Sequence, residues 1–93
     1  MKVYTVQIQE QYYYDFSVLT IKCGCFVNKE AALRKAKSVY ESLCIEHEED
    51  MEENEDTTEI EEDSDTGYYR ITFGEEENCE TYLVTVDEWE LKV

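Results

Sequence analysis

From Glu46 to Asp65 the chain reads EHEEDMEENEDTTEIEEDSD, with 13 acidic residues in 20 and no Lys or Arg. Carboxylates at that density cannot be buried unpaired, so a core has to be assembled from what flanks the run. The run also decides how the net charge of −16 is distributed. Residues 1–45 carry Lys2, Lys22, Lys29, Arg34, Lys35 and Lys37 against Glu10, Asp15, Glu30 and Glu41, whereas residues 46–93 carry 20 acids against Arg70 and Lys92 alone. At a Debye length of ~8–10 Å such a field repels nucleic acid and anionic membrane and draws basic partners inward.

With 93 residues the chain makes one small domain, 1–93, with room for a single modest core and little space for an enclosed active site. A hydrophobic fraction of 42% with eight Tyr and one Trp excludes a wholly disordered chain. There is no basic and apolar leader, and no apolar run approaches the ~20 residues of a membrane span. The expected location is the cytoplasm of a host cell.

The flanks carry readable periodicities. In Lys2–Gln9, Tyr4, Val6 and Ile8 alternate with Val3, Thr5 and Gln7, the pattern of a strand with one buried face. Phe16–Val27 resumes strand-like sequence with Leu19, Ile21, Cys23 and Cys25 on one parity, which predicts an antiparallel hairpin with the first strand. Asn28 suits a helix N-cap and Glu30 its first turn, and Ala32, Leu33, Ala36, Val39, Tyr40, Leu43 and Cys44 recur at helical spacing. Beyond Cys44 the apolar stripe thins to His47, Met51 and Ile60. Thr66–Gly74 and Cys79–Val93 read as two further strands joined by GEEEN, with a bulge at Asp87 and Glu88 where the apolar parity changes. The fold class expected is α+β: an antiparallel sheet in the order β-β-α-β-β, one amphipathic helix on one face, and 46–65 inserted before the third strand as a helix extension or a disordered loop.

Chemistry-bearing motifs are few. The four cysteines lack the paired knuckles of a structural zinc site, and Cys23, Cys25 and Cys44 fall on apolar positions, so they read as small core residues. DSDTG, Asp63–Gly67, begins like a calcium loop, yet that register would require Gly at Tyr68 and Glu at Gly74, so Gly67 reads as a turn glycine. The one histidine, His47, lies between Glu46 and Glu48 and reads as a solvated helical residue. No nucleophile and base pair or glycine-rich phosphate loop is present. The expectation is a protein that is not an enzyme and calls for no cofactor and no dedicated metal.

Two readings of the acidic run stand. A like-charged run is commonly solvated and disordered, because repulsion at i,i+4 opposes helix. Against that, Glu48, Glu52, Glu55, Glu59 and Glu62 are spaced by 4, 3, 4 and 3 residues, and a continued helix would align them as one stripe of carboxylates ~5–6 Å apart, similar to the phosphates of a nucleic-acid strand.

A strand-rich start, CFVNKEAALRKAKSVYE and a closing YLVTVDEWELKV together resemble small phage and prophage proteins, over most of the chain outside 46–65. Small acidic phage proteins include nucleic-acid mimics of the anti-CRISPR kind, which occupy the DNA or RNA groove of a bacterial effector. The resemblance implies an acidic inhibitor whose partner is a basic nucleic-acid-binding host protein, of which a CRISPR effector is one kind, and it assigns no residue roles position by position. The partner-binding set expected on this reading is Glu48, Glu52, Glu55, Glu59, Glu62, Asp63, Asp65 and Tyr68, with Tyr12, Tyr13, Tyr14 and Tyr69 as further amphipathic anchors at the rim. The competing expectation is a structural or metal-binding phage accessory protein whose acidic run only confers solubility.

Overall fold

A computed structural model describes residues 1–13, 16–75 and 78–92 of the chain. Its elements run β1 (Lys2–Tyr12), β2 (Ser17–Phe26), α1 (Lys29–Glu46), α2 (Glu48–Glu53), β3 (Glu59–Asp63), β4 (Tyr68–Phe73) and β5 (Glu80–Glu90). The five strands form one antiparallel sheet in the order β2-β1-β5-β4-β3. The α+β class and the N-terminal hairpin are as the sequence indicates. The element order is not: the acidic run supplies a strand of its own, so the order is β-β-α-β-β-β with α2 as a short continuation after α1.

Among the described residues, only one face of the sheet is covered by helix. Val6 on β1, Tyr69, Ile71 and Phe73 on β4, and Tyr82 and Val84 on β5 meet Ala32, Ala36, Tyr40 and Leu43, which fall on one side of α1. The two alanines let the helix approach closely, and Tyr40 stacks on Tyr69 with ring centroids 4.5 Å apart and planes 14° from parallel. The helix starts where its cap indicates: the Asn28 side chain accepts a hydrogen bond from the Ala31 amide at 3.2 Å.

The uncovered face is built from the opposite parity and is largely Thr and Gln, with Thr5, Gln7 and Gln9 on β1, Thr72 on β4, and Thr81 and Thr85 on β5. Trp89 belongs to this face, where its indole Nε1 donates to Thr5 Oγ1 at 2.8 Å. Pairing of β1 with β5 runs unbroken from Lys2↔Glu90 to Tyr12↔Glu80, so the bulge expected at Asp87 and Glu88 does not form. The parity changes there because apolar side chains pass to the uncovered face.

A bulge does occur elsewhere. Val6 pairs with Gly24 and Gln7 with Lys22, which leaves Cys23 as the extra residue and inverts the parity of β2 beyond it. Cys23 packs against the core, but Cys25 pairs with Thr5 and is exposed. The expectation that Cys25 points inward is therefore corrected. All four thiols are free. Glu76 and Glu77 of GEEEN, and Val93 of the last strand expected from sequence, lie outside the described residues.

Candidate partner-binding surface

The acidic run is shaped by three reversals, each held by polar groups drawn from the run itself. Helix α1 breaks at His47, whose backbone (φ −107°, ψ 17°) leaves the helical region while Met51 N still donates to His47 O at 3.0 Å. The imidazole is not solvated among its acidic neighbours, as its sequence context suggests; its side chain is only 14% exposed. It packs over Tyr82 and Phe73, with centroids at 4.3 and 5.7 Å, and its Nδ1 lies 3.3 Å from the Asp50 carboxylate. His47 thus pins α2 to the end of the sheet.

The second reversal follows α2. Asn54 Nδ2 donates to Asp50 O at 2.7 Å, Thr58 Oγ1 donates to Asn54 O at 2.8 Å, and Thr57 Oγ1 accepts from the Gly74 amide at 3.3 Å. These bonds turn the chain back along β4. The third reversal is the β3–β4 hairpin, where Gly67 N donates to Asp63 O at 3.0 Å and the Asp63 carboxylate accepts from Asp65 N at 3.1 Å. Gly67 has φ +73° and is the turn glycine expected from DSDTG.

Between these turns lies β3, an edge strand whose sequence EIEED carries four carboxylates in five residues and whose side chains are all exposed. Besides its backbone pairing with β4, side chains on both faces hold it. On the uncovered face Glu61 stands opposite Arg70 and forms an ion pair with it at 2.7 Å, with Glu59 3.8 Å from the same guanidinium nitrogen. On the helix face Glu62 accepts a hydrogen bond from the Tyr40 hydroxyl. Burial first, and then this hydrogen bond, hold the Tyr40 phenol well above its usual ionisation range.

The single stripe expected from helical spacing is therefore not formed. Glu48 and Glu52 lie on α2, Glu55 in the turn after it, and Glu59 and Glu62 on opposite faces of β3. The reason is periodic: spacings of 4 and 3 align residues on a helix, but a step of three inverts the face in a strand. The strand instead brings Glu59, Glu61 and Asp63 to one face with Tyr68, which pairs with Asp63; Asp65 follows in the hairpin turn. A shallow groove of about 290 Å³ beside the α2–β3 turn is lined by Glu52, Glu53, Glu55, Asp56 and, from the far loop, Glu75.

Sequence reasoning missed Glu61 on β3 and Glu53, Asp56 and Glu75 in the groove. The cue for Glu61 was Arg70, the one cation between Lys37 and Lys92; Glu75 has no local cue, because only the β4–β5 connection brings it to the groove. Of the expected aromatic anchors, Tyr13 is exposed and Tyr68 half-buried, whereas Tyr69 is in the core and unavailable at a rim. Tyr12 packs edge-on against Tyr82 with centroids 6.3 Å apart and donates to Glu10 at 2.7 Å, which with burial raises its pKa to about 12. Tyr14 lies outside the described residues.

Among the described residues no group of three or more His, Cys, Asp or Glu side chains is placed to hold a metal ion. No described helix is long and apolar enough to cross a membrane. No protein family, curated protein or solved structure matches the chain.

Proposed function

We propose that the protein is an acidic inhibitor that occupies the nucleic-acid-binding groove of a basic host protein, its carboxylates taking the place of phosphates. The observation that carries this reading is β3. Four carboxylates in five residues of strand, each residue rising ~3.4 Å, approach the linear charge density of one DNA strand, which has one phosphate per ~3.4 Å. An edge strand also holds those charges at fixed intervals, so little ordering entropy is lost on binding, unlike a disordered acidic tail.

Mechanistically, Lys and Arg of the partner would pair with Glu59, Glu61 and Asp63 on the uncovered face and with Glu48, Glu52 and Glu55 around the turn, expelling the nucleic acid that those cations otherwise hold. Arg70 spaces the β3 carboxylates and neutralises part of their mutual repulsion in the free protein. Tyr68 and Tyr13 offer apolar surface with a polar tip beside them.

The test is a competition measurement on basic proteins that the chain recovers from host lysate. Displacement of labelled nucleic acid should be lost when Glu59, Glu61 and Asp63 are changed to their amides, and reduced less when Glu48, Glu49 and Glu52 are. Affinity should also fall steeply between roughly 50 and 300 mM salt. A partner whose affinity is flat across that range, or insensitive to both sets of substitutions, would exclude mimicry.

A further inference from the structure

The two edges of the sheet are opposite in kind. Strand β3 closes one edge with five residues, four of them acidic. Strand β2 lies at the other edge over ten residues, and from Phe16 to Lys29 the chain contains two lysines and no acid. Edge strands that must stay single are usually short, charged, interrupted by Pro or bulged along their length. The part of β2 before its bulge has only Lys22 as a guard, and it exposes Val18, Leu19 and Ile21 by 59, 51 and 39%.

We propose that this edge pairs with the same edge of a second copy, giving an antiparallel homodimer with one continuous ten-stranded sheet. Antiparallel pairing of identical strands requires a twofold axis perpendicular to the sheet, which keeps both helices on the same side. Directly opposed residues then share a parity. An axis at Thr20 sets Leu19 against Ile21 of the second copy, and Ile21 against its Leu19, on the helix face; Val18 meets the aliphatic stem of Lys22 on the other. The exposed apolar side chains of this stretch thus find partners within the same strand, which is what a self-complementary edge requires.

Charge selects the same surface. Two chains of −16 repel wherever their acidic halves approach. Pairing through β2 keeps both acidic edges outermost, each four strand spacings, ~19 Å, from the β2 strand of its own sheet and beyond the Debye length of ~8–10 Å. The two Lys22 ammonium groups are offset by four residues, ~13 Å along the strand, and are likewise screened. A strand edge is a small interface, so the dimer is concentration-dependent.

Sedimentation of the full chain over roughly two decades of concentration tests this. Because salt screens the repulsion between acidic halves, dimer should increase as salt rises from roughly 50 to 500 mM, opposite in sign to the binding of a basic partner. Failure of one proposal is therefore distinguishable from failure of the other. Leu19→Lys and Ile21→Lys, both at exposed positions, should each weaken association by about tenfold, whereas Glu61→Gln and Glu62→Gln on the other edge should not weaken it. In the unaltered protein, hydrogen exchange at β2 amides should slow as concentration rises. A chain that stays monomeric, or β2 amides indifferent to concentration, overturns the proposal. So does association that salt and the β3 substitutions weaken, which would instead mean head-to-tail pairing of β2 on β3.

Discussion

The Tyr40 hydroxyl donates a hydrogen bond to the Glu62 carboxylate, joining the middle of α1 to the edge strand across 22 positions of sequence. Tyr40 is also stacked on Tyr69, one strand further in, so a single side chain fixes the helix to the core and the acidic edge to the helix. Edge strand β3 is carboxylate-rich and has little apolar surface to bury; this bond and Arg70 are what hold its two faces.

Tyr40→Phe should therefore loosen β3 while keeping the stack on Tyr69. Loss of one hydrogen bond to a carboxylate that regains water is expected to cost about 1 kcal/mol. In a domain this small that lowers the melting temperature by ~4–8 °C. Hydrogen exchange should show the loss concentrated in β3 and β4. An unchanged melting temperature would mean the bond contributes nothing beyond geometry.

Alkali should unfold the protein through its tyrosines. Tyr12, Tyr40, Tyr69 and Tyr82 all have raised folded-state pKa values, Tyr12 chiefly by its hydrogen bond to Glu10 and the other three chiefly by burial. A raised pKa means the native state holds its proton more tightly than the unfolded chain. The associated stability is complete below the unfolded value near 10 and declines above it, through about 12 for Tyr12. Absorbance titration with circular dichroism should show tyrosine ionisation coinciding with loss of structure. Reversible ionisation of all eight tyrosines near pH 10, with the fold intact, would contradict the burial assigned to them.

Gly67→Ala should be among the costliest small changes in the chain. At φ +73° a Cβ is strained, and it would also stand 2.5 Å from Val86 Cγ2 and 3.0 Å from Leu33 Cδ2. A loss of about 2 kcal/mol is expected from the left-handed backbone and the overlap together, read as a lower urea midpoint with an unchanged slope. A midpoint equal to that of the unaltered protein would show that the hairpin turn relaxes freely.

Salt should stabilise the free monomer, because most of its charges are acidic and Arg70 is the one cation between the β3 carboxylates. Arg70→Met keeps much of the packed stem and removes the charge. It should cost about 1 kcal/mol at low ionic strength and less as salt rises, measured as melting temperature across a salt series at a concentration where the chain is monomeric. A cost that does not change with salt would assign Arg70 a packing role alone.

The periodic parts of this fold were legible because burial and periodicity coincide in them. Tyr4, Val6 and Ile8, the Ala32–Ala36–Tyr40–Leu43 side of α1, and the alternation of Tyr69, Ile71 and Phe73 each repeat at the period of the element they build. The acidic run has no such pattern. EIEED leaves all five side chains exposed, so its strand character is invisible locally, and the 4-3-4-3 spacing of Glu48 to Glu62 suggests a helix that the His47 break and the Asn54–Thr58 turn interrupt.

By itself the sequence determined a one-sided α+β domain, its N-terminal hairpin and amphipathic helix, the separation of a near-neutral half from an acidic one, and the turn at Gly67. Those features follow from local periodicity, capping and charge. Only the tertiary structure decided that the acidic run becomes an edge strand, because β-pairing depends on a partner elsewhere in the chain. Here that partner is β4, and the pairing rests on Arg70 opposite Glu61 and on Tyr40 reaching Glu62. It also decided the faces of Cys25 and Trp89: the extra residue Cys23 inverts the parity of β2 and turns Cys25 outward, while the unbroken β1–β5 register leaves Trp89 on the uncovered face.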